Sequence, residues 1–412
     1  MHKLMNKKEE IKNRIDLINR GEVPEGYKCC WGYIYPESWN IKSLKDLFYK
    51  VKTKNTANES LPVLTNSATL GVILQDEYFD REIVNDENTN NYYIVENGDF
   101  MYNPRISSNA PAGPINRNTL GQKGIASPLY TIFRAKDTKN IEFVEKYFKS
   151  NYWHRYMKSV SNQGARHDRL NINDEDFMRM PIPQPSKQEQ EKIAKILNYC
   201  DKVIELKEKL ICEEIKKNIN CGRKVLKKLK GDTVEIGEIL DYEQPTKYIV
   251  KNQYKNKQNE EDIPILTANK AFIKSYTNEK FGIYDNLPVI IFDDFTVENK
   301  YVTFPFKVQS SAMKILKPKN PNINLLFVYK SMQLLKFKAN DHKRYYLSEY
   351  QYMPINLPDI ETQNRTVEIL SKIDRKIELL QQELEQYKQL KKSLSQLLLT
   401  GIVRTVEADC EN

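Results

Sequence analysis

The chain has no uninterrupted apolar run near the roughly 18 residues that a membrane-spanning helix needs, and its mean hydropathy is −0.66. No membrane partner is expected. The opening segment "MHKLMNKKEEIKNRIDLINR" is charged throughout and lacks the apolar core and small-residue cleavage site of a secretory signal, so a cytoplasmic location is expected. Cysteine is scarce. Cys29, Cys30, Cys200, Cys212, Cys221 and Cys410 include no CxxC pair, and His2, His154, His167 and His342 do not fall at zinc-finger spacing. Reduced structural thiols and no metal site are expected. Also missing are a G-x-x-x-x-G-K-[ST] phosphate loop, a G-x-G-x-x-G turn opening a helix, and the Asp/Asn-Pro-Pro-aromatic motif of amino-methylating enzymes. Without them no catalytic residue is expected, and no nucleotide or methyl donor should bind this chain alone.

What the chain does have is a repeat. "MPIPQPSKQEQEKIAKILNYCDKVIEL" (180–206) returns as "MPINLPDIETQNRTVEILSKIDRKIEL" (353–379), at an offset of 173 (354 − 181). Met180, Pro181, Ile182, Pro185, Gln190, Ile196, Leu197, Asp201, Ile204, Glu205 and Leu206 match Met353, Pro354, Ile355, Pro358, Gln363, Ile369, Leu370, Asp374, Ile377, Glu378 and Leu379. A period of domain size means duplicated domains, not a solenoid, and 412 residues accommodate two cores. Upstream, "LPVLTNSATLGVI" (61–73) echoes "IPILTANKAFIKS" (263–275) at an offset of 202 (264 − 62), so the second unit is 29 residues (202 − 173) shorter in its interior. Those interiors mix short β-type runs with Gly, Pro and Asn turns, which predicts an irregular α+β fold.

In each copy the prolines hold the chain extended up to a helix start. Ile193, Ile196, Cys200, Val203 and Leu210 mark the expected seam of the first helix. Leu370, Ile373, Ile377, Leu380, Leu384, Tyr387 and Leu394 mark that of the second, with Lys391 in an apolar slot. A helix of about 40 residues is roughly 60 Å long, too long and thin for one globular core, so the simplest partner for each helix is the other, antiparallel. The alternatives are packing on the preceding domain or on another subunit. The expected order is a helical arm over 1–26, carrying Leu4, Ile11, Ile15 and Ile18 at helical spacing, a first domain over 27–184, a central helix over 185–231, a second domain over 232–358, a C-terminal helix over 359–401 and a tail over 402–412.

Charge is unevenly spread. The formal net charge is +9, and the tracts 101–136, 146–167 and 299–340 contain no acidic residue. Lysine and arginine free of acidic neighbours suit a polyanion, and Arg, Asn and Gln can also hydrogen-bond base edges. The candidate DNA-contacting residues are Tyr102, Asn103, Arg105, Asn109, Arg117, Asn118, Lys123, Arg155, Lys158, Arg166 and Arg169 in the first unit. In the second they are Lys270, Lys274, Lys300, Lys307, Gln309, Lys338, Lys343, Arg344 and Tyr345. The competing reading puts the aromatics in the core and leaves the lysines solvated. One nuclease-like pattern, Pro358-Asp359 with Asp374-x-Lys376, is broken in the repeat copy by Ser186 and Val203, and so reads as accidental. Asp201 and Asp374 read more simply as exposed helix residues able to bind a partner subunit.

Two differing domains, each followed by a proline-led helix, with "GYIYPESWNIKSLKDLF", "GDFMYNPR" and the closing "LLLTGIVRT", resemble the specificity subunit of type I restriction-modification systems over nearly the whole chain. The resemblance implies two target recognition domains, each reading half of a bipartite site in double-stranded DNA, and an antiparallel coiled coil acting as a ruler between them. It also implies docking of two methylation subunits that carry the S-adenosylmethionine chemistry, joined by a restriction/translocase subunit. A specificity partner or fused part of a type II-like restriction-methylation enzyme, and a non-specific DNA-binding coiled-coil adaptor, are the competing functions.

Overall fold

The computed structural model describes residues 2–78, 89–162, 168–268, 272–339 and 343–406, with side chains from Lys7 onward except those of Glu77 and Tyr78. Two compact units divide the chain: unit 1 is Met1–Glu205 with Glu385–Asn412, and unit 2 is Leu206–Leu384.

Unit 1 begins with α1 (His2–Asn19) and the hairpin β1 (Tyr27–Cys30) and β2 (Tyr33–Pro36), followed by β3 (Asn40–Ser43), α2 (Leu44–Leu47) and β4 (Phe48–Lys50). Then come β5 (Leu64–Ser67), β6 (Gly71–Leu74), α3 (Gln75–Tyr78), β7 (Tyr93–Val95), β8 (Phe100–Tyr102), β9 (Ile115–Arg117), β10 (Gly124–Ala126) and β11 (Thr131–Ala135). It closes with α4 (Ile141–Phe148), α5 (His154–Val160), α6 (Asp174–Met178), β12 (Pro181–Gln184) and the start of α7 (Lys187–Lys228). Its main sheet is antiparallel, in the order β4-β11-β8-β9. Unit 2 holds the rest of α7, then β13 (Asp232–Glu235), α8 (Ile236–Ile239), β14 (Leu240–Glu243), β15 (Ile263–Leu266), β16 (Ile273–Thr277), β17 (Val289–Asp293), β18 (Asn299–Val302), β19 (Lys307–Val308), β20 (Met313–Pro318), α9 (Leu325–Leu334), β21 (Pro354–Leu357) and most of α10 (Ile360–Leu399). Its main sheet runs β14-β20-β17-β18.

The two sheets are the same frame with different fillings. Phe133 of β11 faces Phe100 of β8, and Leu316 of β20 faces Ile290 of β17. Phe48 opposes Ala135 in unit 1, and Leu240 opposes Pro318 in unit 2. In unit 1 Phe48, Phe100 and Phe133 meet at ring separations of 5.3–5.4 Å. Aliphatic side chains fill these slots in unit 2, and either filling removes the inner face of the sheet from water, at about 2–3 kcal/mol for each large side chain. The repeated Met-Pro-Ile strands also match in role, since β12 pairs antiparallel with β3 and β21 with β13.

Each long helix starts on the same device. The Ser186 hydroxyl accepts from Glu189 N–H (3.3 Å) and the Asp359 carboxylate from Thr362 N–H (2.9 Å), as N-caps do. Gln190 Nε2 donates to Pro185 O (2.9 Å), and Gln363 Nε2 to Pro358 O (2.8 Å). The matched prolines and glutamines thus form a capped entry. Asp359 is a cap, and no nuclease site is needed to explain it.

In unit 2, Lys207 pairs with Glu383 (2.9 Å), Glu214 with Lys376 (2.8 Å) and Asn218 with Asp374 (2.8 Å), so numbers rise on α7 as they fall on α10. The helices are antiparallel, as expected. The seam of α7 keeps Ile193 and Cys200 of the expected one but not Ile196 and Leu210. Ile196 and Leu210 are 36% and 42% exposed, whereas Leu197 and Ile211 are 1% and 7% exposed. The inward positions are 193, 197, 200, 204, 207, 211, 214 and 218, all buried or half-buried. Those steps of four and three are a strict heptad. Polar Lys207, Glu214 and Asn218 occupy three of its slots, and half-buried Val203 lies beside it. On α10, of the expected seam residues, Leu370 is buried, Ile373, Ile377, Leu380, Leu384 and Leu394 are half-buried, and Tyr387 is 38% exposed. Lys391 sits half-buried in its slot, with its ammonium on the Asp201 carboxylate in unit 1.

The segment that follows α10, through Arg404, is tied into unit 1. Arg404 makes a bidentate pair with fully buried Glu189 (2.8 and 2.9 Å), which also accepts from Trp39 Nε1 (2.9 Å), and Tyr27 donates to Gly401 O (2.8 Å). Gly401 has φ +70, and a Cβ there would lie 2.5 Å from the Pro36 ring.

Candidate nucleic-acid interface

In unit 1 the β8–β9 connection, residues 103–114, meets the segment 168–170. Ile106 N–H donates to Asp168 O (2.9 Å) and Leu170 N–H to Pro104 O (3.0 Å). That ladder sets Arg105 beside Arg169, each with Nε 3.7 Å from the Asp168 carboxylate. Two guanidinium groups on one carboxylate leave this edge positive. The tip is a tight turn in which Ala110 N–H donates to Ser107 Oγ (3.1 Å), leaving Ser108 and Asn109 exposed.

A buried carboxamide network carries the loop. Asn66 Nδ2 donates to Met101 O (2.6 Å) and Pro114 O (3.0 Å), Asn116 Nδ2 to Asn66 Oδ1 (2.6 Å), and Asn103 Nδ2 to Asn66 O (3.2 Å). Gly113, at φ +77, closes the loop where a Cβ would lie 2.1 Å from Asn103 O. Asn103 therefore braces the loop from beneath, leaving Arg105 and Asn109 as its outward donors.

Several expected contacts turn inward. Tyr102 is 3% exposed, in the slot that Phe292 fills in unit 2, and burial pushes its phenol well above the usual range. Asn118 is fully buried, donating to Glu96 O (3.1 Å) and Gln122 O (3.0 Å). Arg117 is half-buried, 2.9 Å from Glu145. Tyr147, Tyr152, Trp153 and Tyr156 are all core residues, so the aromatic interleaving of the second acid-free tract reflects the packing of α4 and α5. Lys123 stays exposed on Glu59 (2.7 Å), which raises its pKa through the hydrogen bond, and Lys158 is exposed without an ion pair among the described residues. Arg155 is exposed, and its Nη1 donates to Gly32 O (3.2 Å) in the β1–β2 turn. That turn holds Trp31 at φ +53 and 53% exposed, edge-on to Tyr156. Trp31 is an outward aromatic that charge patterning could not find. Arg166 and Lys270 lie outside the described residues.

In unit 2 the acid-free tract 299–340 has eight lysines, and five of them are neutralised by carboxylates from elsewhere in the chain. Lys307 pairs with Glu279 (2.9 Å) and Lys314 with Asp294 (3.1 Å), both pairs buried. Burial opposes ionisation of Glu279, but hydrogen bonds from Lys307 and from the backbone N–H groups of Asn252 and Lys251 outweigh it and hold its carboxyl below the usual range. Lys307 thus leaves the candidate surface. Tyr345 leaves it too, being 2% exposed with its N–H on Asp294 O (2.8 Å). Lys274, Lys338, Lys343 and Arg344 remain exposed, while Lys300 and Gln309 are half-buried. Lys300 lines an open cavity of about 320 Å³ with Asn299, Gln333, Phe337 and Tyr350. Phe281, 58% exposed beneath Lys251 and Lys307, is an outward aromatic with no signal in the sequence.

Among the described residues no cluster of His, Cys, Asp and Glu could hold a metal, and no helix is long and apolar enough to cross a membrane.

The model of the type I restriction modification DNA specificity domain matches twice, over residues 36–217 and 230–389. The chain belongs to this family. Each match of the specificity domain spans one α+β domain and the long helix that follows it, which is the duplicated unit. Over 157 residues the chain is 44% identical to the type I restriction enzyme EcoR124I/EcoR124II specificity subunit of Escherichia coli, covering 37% of this chain and 38% of that one. It is 25% identical to a protein of Methanocaldococcus jannaschii that carries the name type I restriction enzyme MjaX specificity subunit, covering 90% and 94% of the two chains. A chain solved in a study of complex assembly and conformational transition of the type I R-M system shares the fold, with a TM-score of 0.56 and 13% identity over 90% of this chain and 100% of that one.

Proposed function

We propose that this specificity-domain protein reads a bipartite sequence in double-stranded DNA, one half-site per unit, as a subunit that performs no chemistry itself. The observation carrying this reading is the frame repeated with divergent loops: twelve residues (103–114) join β8 to β9, but five (294–298) join β17 to β18. Recognition loops on a constant sheet are what different half-sites require, and exposed cations on each unit suit phosphate contacts. Two methylation subunits would hold S-adenosylmethionine and dock on the long helices, whose outward Tyr199 and Leu206 are 73% and 53% exposed and whose Leu379 and Leu390 are 50% and 62% exposed. A restriction/translocase subunit would complete the complex, in the cytoplasm.

The test is co-purification with the methylation partner and mapping of modified bases on random-sequence DNA. Methylation at one split sequence is expected, and replacing residues 232–352 with those of a relative should change one half only. Sequence-indifferent modification would count against this reading, and S-adenosylmethionine binding by the isolated chain would favour a fused enzyme.

A further inference from the structure

The repeat places an aspartate at the same point of each long helix, Asp201 and Asp374 (374 − 201 = 173), and both carboxylates are engaged inside their own unit. In unit 1 one Asp201 oxygen takes Lys146 of α4 (2.7 Å), and the other takes Lys391 of α10. In unit 2 one Asp374 oxygen takes Lys330 of α9, and the other takes Asn218 of α7 (2.8 Å). The partners are equivalent too. Lys391 stands to Asn218 at the same offset (391 − 218 = 173), and Lys146 and Lys330 are both the sixth residue of the helix that follows the main sheet. Each aspartate thus joins three elements: its own long helix, the antiparallel long helix, and the helix packed on its domain's sheet.

These joints contribute little to stability, because both aspartate side chains are 40% exposed and such pairs are weak in water. Geometry is a different matter. Apolar contact along a helix tolerates sliding and rotation, whereas a carboxylate with two directed partners has one preferred arrangement. Two units with different core fillings and different loops retain the same three-way joint.

We propose that Asp201 and Asp374 are positioning residues that set how each DNA-reading domain is carried on the paired helices, and thereby how strictly the complex selects the spacing between half-sites. The proposal rests on the DNA-reading function proposed above. It displaces the expectation that these aspartates serve a partner subunit.

The experiment uses the full chain with its methylation partner and a DNA library in which both half-sites are constant and the spacer varies by one and two base pairs. Asp201→Asn, Asp374→Asn and Lys330→Gln are compared with wild type. Half-site sequences are expected to stay unchanged, while the preference for the best spacer over its neighbours falls at least threefold, with melting within a few degrees of wild type. Lys330→Gln leaves the aspartate in place and carries the test if an aspartate variant folds poorly. An unchanged spacer profile, or a loss of activity uniform across spacers, overturns the proposal. A wild-type complex indifferent to sequence would instead remove the function on which it stands, and that shows without any variant.

Discussion

Arg105 and Arg169 share one carboxylate at the edge of unit 1, and their excess charge makes Arg105 the residue there at which a phosphate contact is tested first. Arg105→Ala is expected to weaken binding of the complex to its target about tenfold and to lower the slope of log affinity against log salt by about one. Fluorescence anisotropy over a salt series measures both, and an unchanged slope would remove Arg105 from the interface. His154 gives a second test at this scale. Burial, and then the charge of Lys158, lower its pKa from 6.5 to about 4. Because the folded value is depressed, its contribution to stability is complete above 6.5 and is lost as pH falls toward 4. Unfolding by urea from pH 7 to 4 should therefore weaken wild type more steeply than His154→Gln, and parallel profiles would contradict the assignment. At this scale the sequence was only partly legible. Arg105, Asn109 and Lys158 could be picked out as outward, but Lys307 could not be picked out as buried, because its neutralising Glu279 lies 28 residues upstream, in the loop that follows β16.

The displaced seam of α7 gives a sharp test at the scale of elements. Ile211 is buried and Leu210, its neighbour in sequence, is 42% exposed. Ile211→Ala is expected to cost about 2–4 kcal/mol through lost burial and the cavity left behind, and Leu210→Ala less than about 1 kcal/mol. Urea unfolding of the two variants distinguishes the seams, and the opposite order would restore the expected one. The reason for the misplacement is physical. Apolar periodicity finds apolar residues, so the expected seam kept Ile193 and Cys200 but took outward Ile196 and Leu210, and it passed over the polar slots where Lys207, Glu214 and Asn218 find partners on α10. The helix starts were legible to within two residues, with 185 and 359 expected and Lys187 and Ile360 found, because proline and capping chemistry are local. Strand pairing within each domain was not, because β4 pairs with a strand more than 80 residues away and no turn signal records that partnership.

At the scale of the whole molecule, duplication makes the long helices testable as a ruler. The pairs Lys207–Glu383 and Glu214–Lys376 show that residues 207–213 and 377–383 face each other, so both segments can be removed together without losing the antiparallel register. Each deletion is one heptad, about 10 Å of helix or roughly three base pairs of duplex. If the helices measure the distance between half-sites, the doubly deleted protein with its methylation partner should modify the same two half-sites across a shorter spacer. Removing only one segment should instead disturb pairing and depress activity at every spacer. Mapping modified bases from a spacer library reads both outcomes. Should the double deletion act at the original spacer with undiminished preference, the distance would have to be set by the partner subunits, and the paired helices would be a dock for them with no role as a measure.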